Sequence, residues 1–137
     1  VETLAEKGIR MVAFGSPEER ELLAGICAGT GAVNAAGSLS LGETAAALDR
    51  ATLLVCTDSG LMHIAAARGT PVVALFGPTD ESRTGPWGEG HVLIRTPCAR
   101  PCLDFTGLRP GCTAPECMGM IDPEEVAAAV RGVLGRG

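Results

Sequence analysis

The chain has no tyrosine, and aromatic residues make up only 3% of its 137 residues. Basic residues are few, eleven against sixteen acids, for a net charge of −5, and they form no cluster. A surface that grips nucleic acid carries a basic stripe or stacking aromatics; neither is present, which excludes that class of partner. No apolar run reaches the ~20 residues of a membrane-spanning helix. The N-terminus lacks the basic, apolar, small-residue order of a secretion signal. These absences give a cytoplasmic reading with no transmembrane segment. The first residue is Val1 rather than methionine, and a helical pattern is already under way at Thr3-Leu4-Ala5-Glu6. The chain therefore reads as a piece of something longer.

What the chain does have is apolar residues, 46% of the total, with a mean hydropathy of +0.26. That is enough for one globular domain with a core of its own, residues 1–137. Strands are expected over Gly8–Phe14, Ala32–Ala35, Thr52–Cys56, Val72–Phe76 and His91–Arg95. Helix starts are marked by a cap residue followed by proline or an acid. Ser16-Pro17 with Glu19 predicts a helix from Pro17 to Ala28. Ser40 with Glu43 predicts a second, running through Leu48. Asp122-Pro123-Glu124-Glu125 predicts the last, running to Leu134. A short helix over Leu61–Arg68 is closed by Gly69.

Apolar strands alternating with amphipathic helices specify an α/β fold, a parallel sheet with helices on both faces. Ligands of such sheets bind beyond the carboxyl ends of the strands. The loops Gly15–Glu19, Thr57–Gly60 and Gly77–Asp80 all follow strands, so polar groups gather at that end. Thr57-Asp58-Ser59-Gly60 opens a helix, whose leading N–H groups and partial positive charge suit a diphosphate. Asp58 would then take a hydroxyl, because two anions repel. The plainer alternative makes Asp58 or Ser59 an N-cap and nothing more. His63 is either a packed histidine bonded to a carbonyl or a support for the Asp58 loop. Glu19 is either a capping-box acid or a ribose ligand, with Glu18 as a substitute. Leu39–Leu41 is either core or an apolar wall for a nucleobase.

The segment TDSGLMHIAAARGTPVVALFGPTDESRTGPWG resembles the C-terminal half of glycosyltransferase family 9, the ADP-heptose:lipopolysaccharide heptosyltransferases. The resemblance rests on Asp58-Ser59-Gly60, His63, Ala65-Ala66-Ala67 and Phe76-Gly77-Pro78-Thr79. It extends upstream to GIRMVAFGSPEERELL and AGSLSLGETAAALDRATLLV, and downstream to the cysteine-bearing tail. It implies a GT-B architecture of two Rossmann-like domains, of which this chain is the one that binds the donor. The donor would be ADP-heptose or a similar nucleotide sugar, and the acceptor a lipid-linked sugar held by the other domain. The implied reaction is an inverting transfer that uses no protein-bound metal or other cofactor. By position, Asp58 would bind the donor sugar, and Ser59, Gly60 and Leu61 the diphosphate. Glu19 would meet the ribose and Leu39 the adenine, while His63, Gly77 and Thr79 complete the donor set. No catalytic base falls in this chain, which by itself would be inactive. The full-length protein would be cytoplasmic and peripheral at the inner membrane.

Cys98, Cys102, Cys112 and Cys117 fall in one loop over residues 96–120. Their spacing is looser than that of paired zinc ribbons, so zinc, a disulfide or free thiols remain open. Cys27 and Cys56, in apolar runs, are expected to be buried small hydrophobes. Two other functional classes stay in view. One is a different GT-B nucleotide-sugar enzyme such as an epimerase. The other is a non-catalytic α/β module with a zinc-held cysteine loop.

Overall fold

A computed structural model describes residues 1–97, 103–104, 107–108 and 115–135. The chain divides into two compact units, Val1–Ala47 and Leu48–Gly137.

The first unit contains α1 (Glu2–Ala5), β1 (Val12–Ala13), a 3-10 turn at Pro17–Glu19, α2 (Arg20–Cys27), β2 (Val33–Asn34) and most of α3 (Leu41–Leu48). β1 and β2 pair in parallel, with Val12 opposite Val33. Each strand is only two residues long, shorter than the apolar runs around it predict. α2 packs on β2, and Asn34 fastens the join. Its Nδ2 donates to the Arg20 carbonyl at 2.9 Å, while its Oδ1 accepts from the Ala36 N–H at 3.0 Å. Two capping boxes organise the helix starts. The Ser16 N–H donates to Glu19 Oε2 at 2.7 Å. The Ser40 N–H and hydroxyl donate to Glu43 Oε2 at 2.8 and 2.7 Å. The expected helix from Pro17 begins as the 3-10 turn and becomes α-helical only at Arg20.

The second unit is built on a three-stranded parallel sheet in the order β3 (Leu54–Thr57), β4 (Val72–Phe76), β5 (Val92–Arg95). The register sets Thr57 opposite Leu75 and Phe76 opposite Arg95. β4 is the central strand and reads Val-Val-Ala-Leu-Phe, with four of its five residues buried. A strand covered on both faces has this unbroken apolar pattern. The flanking strands alternate: Leu54 and Ile94 are buried, whereas Val55 and Leu93 are exposed. α4 (Gly60–Ala67) packs on β3 and β4, and α6 (Pro123–Leu134) packs on β4 and β5. Fully burying a side chain such as Phe76 or Met62 stabilises the unit by about 1.5–3 kcal/mol.

α4 ends in a Schellman turn at Gly69, where the Thr70 N–H reaches the Ala65 carbonyl and the Gly69 N–H reaches that of Ala66. Thr70 then donates its buried hydroxyl to the Leu48 carbonyl at 2.8 Å. At the end of the sheet opposite the loops that follow β3 and β4, His91 Nδ1 accepts from the Val72 N–H at 3.2 Å, and Nε2 bonds the Trp87 carbonyl at 3.1 Å. Asp122 caps α6 by accepting from the Glu124 N–H.

One helix was not expected. α5 (Glu81–Thr84) is a single turn directly after β4. A short antiparallel pair, β6 (Leu103–Asp104) and β7 (Gly107–Leu108), and a 3-10 segment, Pro115–Met120, fall in the cysteine-bearing region. Cys98, Cys102 and Cys112 lie outside the described residues, and the question of a metal or disulfide there lies outside them too. Cys117 is described and buried. Cys27 is buried as expected, but Cys56 is only partly so.

Candidate functional site

β3 and β4 are neighbours and parallel, so the loops that follow them leave the sheet at the same edge. The first loop carries Asp58 and Ser59 into α4. Ser59 occupies the cap position with extended backbone (φ −156°, ψ 164°), yet its side chain makes no capping hydrogen bond. Nor does Asp58 cap the helix: its Oδ2 accepts from Thr84 Oγ1 at 2.9 Å. The capping alternative is therefore not what this loop does. The leading N–H groups of an uncapped helix lack the side-chain acceptor that commonly takes one of them. At Gly60, the first residue of α4, an added Cβ would meet nothing within 4 Å. Leu61 is half-buried in the first turn. His63 is exposed and makes no side-chain hydrogen bond among the described residues, so the packed alternative does not hold for it.

Gly77 follows β4 and differs from Gly60. A Cβ there would lie 2.5 Å from Met118 Sδ and 3.1 Å from Cys117 Sγ. The absent side chain is taken up by the 3-10 segment, which gives this glycine a packing reason independent of any ligand. Thr79 is half-buried two residues on.

α5 is held in three ways. Asp80 Oδ1 accepts from the Ser82 N–H at 3.0 Å and from the Ser82 hydroxyl at 2.6 Å. These bonds hold the Asp80 carboxyl below the usual carboxylate range. The Gly85 N–H closes the turn on the Glu81 carbonyl at 2.9 Å, and a Cβ on Gly85 would sit 2.5 Å from that oxygen. Glu81 pairs with Arg95 of β5 at 2.8 Å. Thr84, which reaches Asp58, and the Glu81–Arg95 pair were not singled out from the sequence. Asp80 with an acid after it and Gly85 at the end was the available signal, but one turn is too short to show periodicity.

Cys56 lies two residues before Asp58. Burial pushes its thiol up to about 11, a side-chain hydrogen bond with Ser59 pulls the other way, and the nearby Asp58 charge adds to the rise.

In the first unit, the Gly15–Glu19 loop follows β1 and meets the segment leading to Leu39. The Gly37 N–H donates to the Gly15 carbonyl at 2.9 Å, and Arg20 Nη2 donates to Ser38 Oγ at 3.1 Å. The structure thus brings together the segments carrying Glu19 and Leu39. Glu19 spends Oε2 on the capping box, and its neighbour Glu18 is held below the usual carboxylate range mainly by the Ser16 hydroxyl. Leu39 is exposed.

The parallel ladders and the loops at their carboxyl ends define a Rossmann-like α/β domain of the kind found in GT-B glycosyltransferases. The family model for glycosyltransferase family 9 (heptosyltransferase) matches residues 1–107. The chain belongs to that family. It is 32% identical over 152 aligned residues to lipopolysaccharide heptosyltransferase 1 of Pseudomonas aeruginosa, covering 97% of this chain and 41% of that protein. It is 34% identical over 95 residues to lipopolysaccharide heptosyltransferase 1 of Escherichia coli K12, covering 69% of this chain and 30% of that one. Among solved structures, a family 9 glycosyltransferase from Veillonella parvula superposes with a TM-score of 0.84 at 27% identity, over 99% of this chain and 39% of that one. The E. coli heptosyltransferase WaaC with ADP superposes with a TM-score of 0.74 at 25% identity, over 96% of this chain and 36% of the other. The chain spans well under half the length of these relatives.

Proposed function

We propose that this chain is the donor-binding half of an inverting glycosyltransferase that moves a heptose from ADP-heptose to the lipopolysaccharide inner core. The observation that carries the reading is the Asp58–Leu61 loop: a carboxylate beside an uncapped eight-residue helix at the carboxyl edge of parallel strands. The names of the relatives, and the ADP in one of the similar structures, support it. In this reading the donor diphosphate takes the leading N–H groups of α4, with Ser59, Gly60 and Leu61 lining it. The open space above Gly60 admits it. Asp58 accepts hydroxyls of the sugar, with His63, Gly77 and Thr79 completing that edge. On the family resemblance, Glu19 takes the ribose hydroxyls through the carboxylate oxygen its capping box leaves free, and Leu39 takes the adenine.

The base that deprotonates the acceptor, and the lipid-linked acceptor itself, belong to the part of the protein outside this chain. Domain closure supplies orientation worth roughly 7–11 kcal/mol of the barrier, so the chain alone binds donor without turning it over. The complete protein would work at the cytoplasmic side of the inner membrane.

The test is Asp58→Ala in the complete protein, assayed by mass spectrometry of the heptosylated product. Loss of a charged contact made in the transition state costs on the order of 2–4 kcal/mol in rate, and the melting temperature should hardly move. Near-normal turnover with a lowered melting temperature would refute the reading.

A further inference from the structure

We infer that Thr84 is a positioning residue for Asp58, fixing the carboxylate that receives the donor sugar; this rests on the reading above. Thr84 Oγ1 lies 2.9 Å from Asp58 Oδ2 and 3.1 Å from the Asp80 carbonyl oxygen, and its single proton can serve only one of them. The Asp80 carbonyl already accepts the N–H groups of Arg83 and Thr84, both at 3.0 Å, which fill its two lone pairs. The carboxylate is charged, nearer and has capacity to spare, so the hydroxyl proton goes to Asp58.

The donor is also held still. Thr84 ends a one-turn helix fixed by the Asp80 cap, by the Gly85 closure and by the Glu81–Arg95 pair. The first two constraints close the turn on itself and the third ties it to β5, so the hydroxyl sits on an anchored turn rather than on a free loop. One carboxylate oxygen is thereby occupied. Oδ1 has no hydrogen-bond partner among the described residues and is not among the buried unpaired atoms, so it is the oxygen left to accept from a ligand. Without Thr84 the Asp58 carboxylate loses its fixed plane. A sugar hydroxyl would then have to immobilise it on binding.

The prediction separates sugar from nucleotide. In the complete protein, titrated calorimetrically, Thr84→Val should weaken ADP-heptose binding about tenfold, the scale of one hydrogen bond to a charged group. ADP, which lacks the sugar, should bind as before. Thr84→Ser, which keeps the hydroxyl and drops the methyl, should restore ADP-heptose binding. Equal weakening of both ligands by Thr84→Val, or a serine variant as weak as the valine one, would overturn the inference by making Thr84 a packing residue. Asp58→Asn run in parallel separates the two claims. If it loses ADP-heptose while Thr84→Val does not, the donor-site reading stands and the inference alone fails. If Asp58→Asn changes neither ligand, the reading fails and takes the inference with it.

Discussion

The two compact units are stabilised by different means. In the first, only Cys27, Ala36 and Thr44 are buried, while Val12, Leu22, Ile26, Val33 and Leu41 stand exposed. Val12 and Val33 face each other across the β1–β2 ladder and share that exposure. What orders this unit is local: two capping boxes, the Asn34 bridge and short backbone turns. The second unit has the sealed strand β4, with Val72, Val73, Ala74 and Phe76 almost fully buried and helices packed against it. The lesson is that the same α/β alternation can be carried by capping in one unit and by burial in the other. A mutation's cost should then depend on which unit it falls in.

The largest contrast is Phe76→Ala against Val33→Ala. Emptying the Phe76 site should cost about 3–5 kcal/mol, whereas trimming an exposed valine should stay within about 0.5 kcal/mol. Chemical denaturation of both variants measures it, and comparable losses would end the comparison. A smaller contrast uses one substitution with opposite signs. Gly77→Ala forces a methyl against Met118 and Cys117 and should destabilise by about 1–3 kcal/mol. Gly25→Ala, inside α2 with open space around it, should stabilise by about 0.5–1 kcal/mol. A melting temperature that rises for both variants would show that Gly77 is not tightly packed.

The smallest effect is at the caps. Ser40→Ala should cost about 1 kcal/mol. Glu43 is held below the usual carboxylate range, mainly by the Ser40 hydroxyl and then by its N–H. A carboxylate with a lowered folded value contributes stability that is present above its unfolded value and disappears as the pH falls through the folded one. The part of the wild type's advantage over Ser40→Ala that comes from the hydroxyl's bond to the Glu43 carboxylate should therefore be lost only in acid below the ordinary glutamate range, while the part from the Glu43 N–H bond to Ser40 Oγ persists. Hydrogen exchange across α3 at neutral and acid pH reads this directly.

Much of this was legible in the sequence. β4 was readable to the residue, because five apolar residues between Pro71 and Gly77 admit little else. Ser40-x-x-Glu43 and Asp122-Pro123 declared their helices, because capping is a short-range effect written in neighbouring residues. The Asp58 loop was placed correctly at a strand end. The sequence overstated β1 and β2, because Val12 and Val33 have the composition of strand residues whether or not a ladder extends. It could not reveal Thr84, whose partner lies 26 residues away. Nor could it show that Gly60 faces open space while Gly77 faces a methionine, since the two glycines differ only in what the fold brings near them.

Cys56 has a practical consequence for anyone labelling this protein. The thiolate is the form that alkylating reagents and oxidants attack. With its proton held up to about 11, Cys56 is only about one part in a thousand thiolate at pH 8. It sits two residues from Asp58, yet should behave as a redox bystander, slow to take up iodoacetamide or maleimide. A labelling scheme directed at another position can thus leave Cys56 in place, because it will compete little for the reagent.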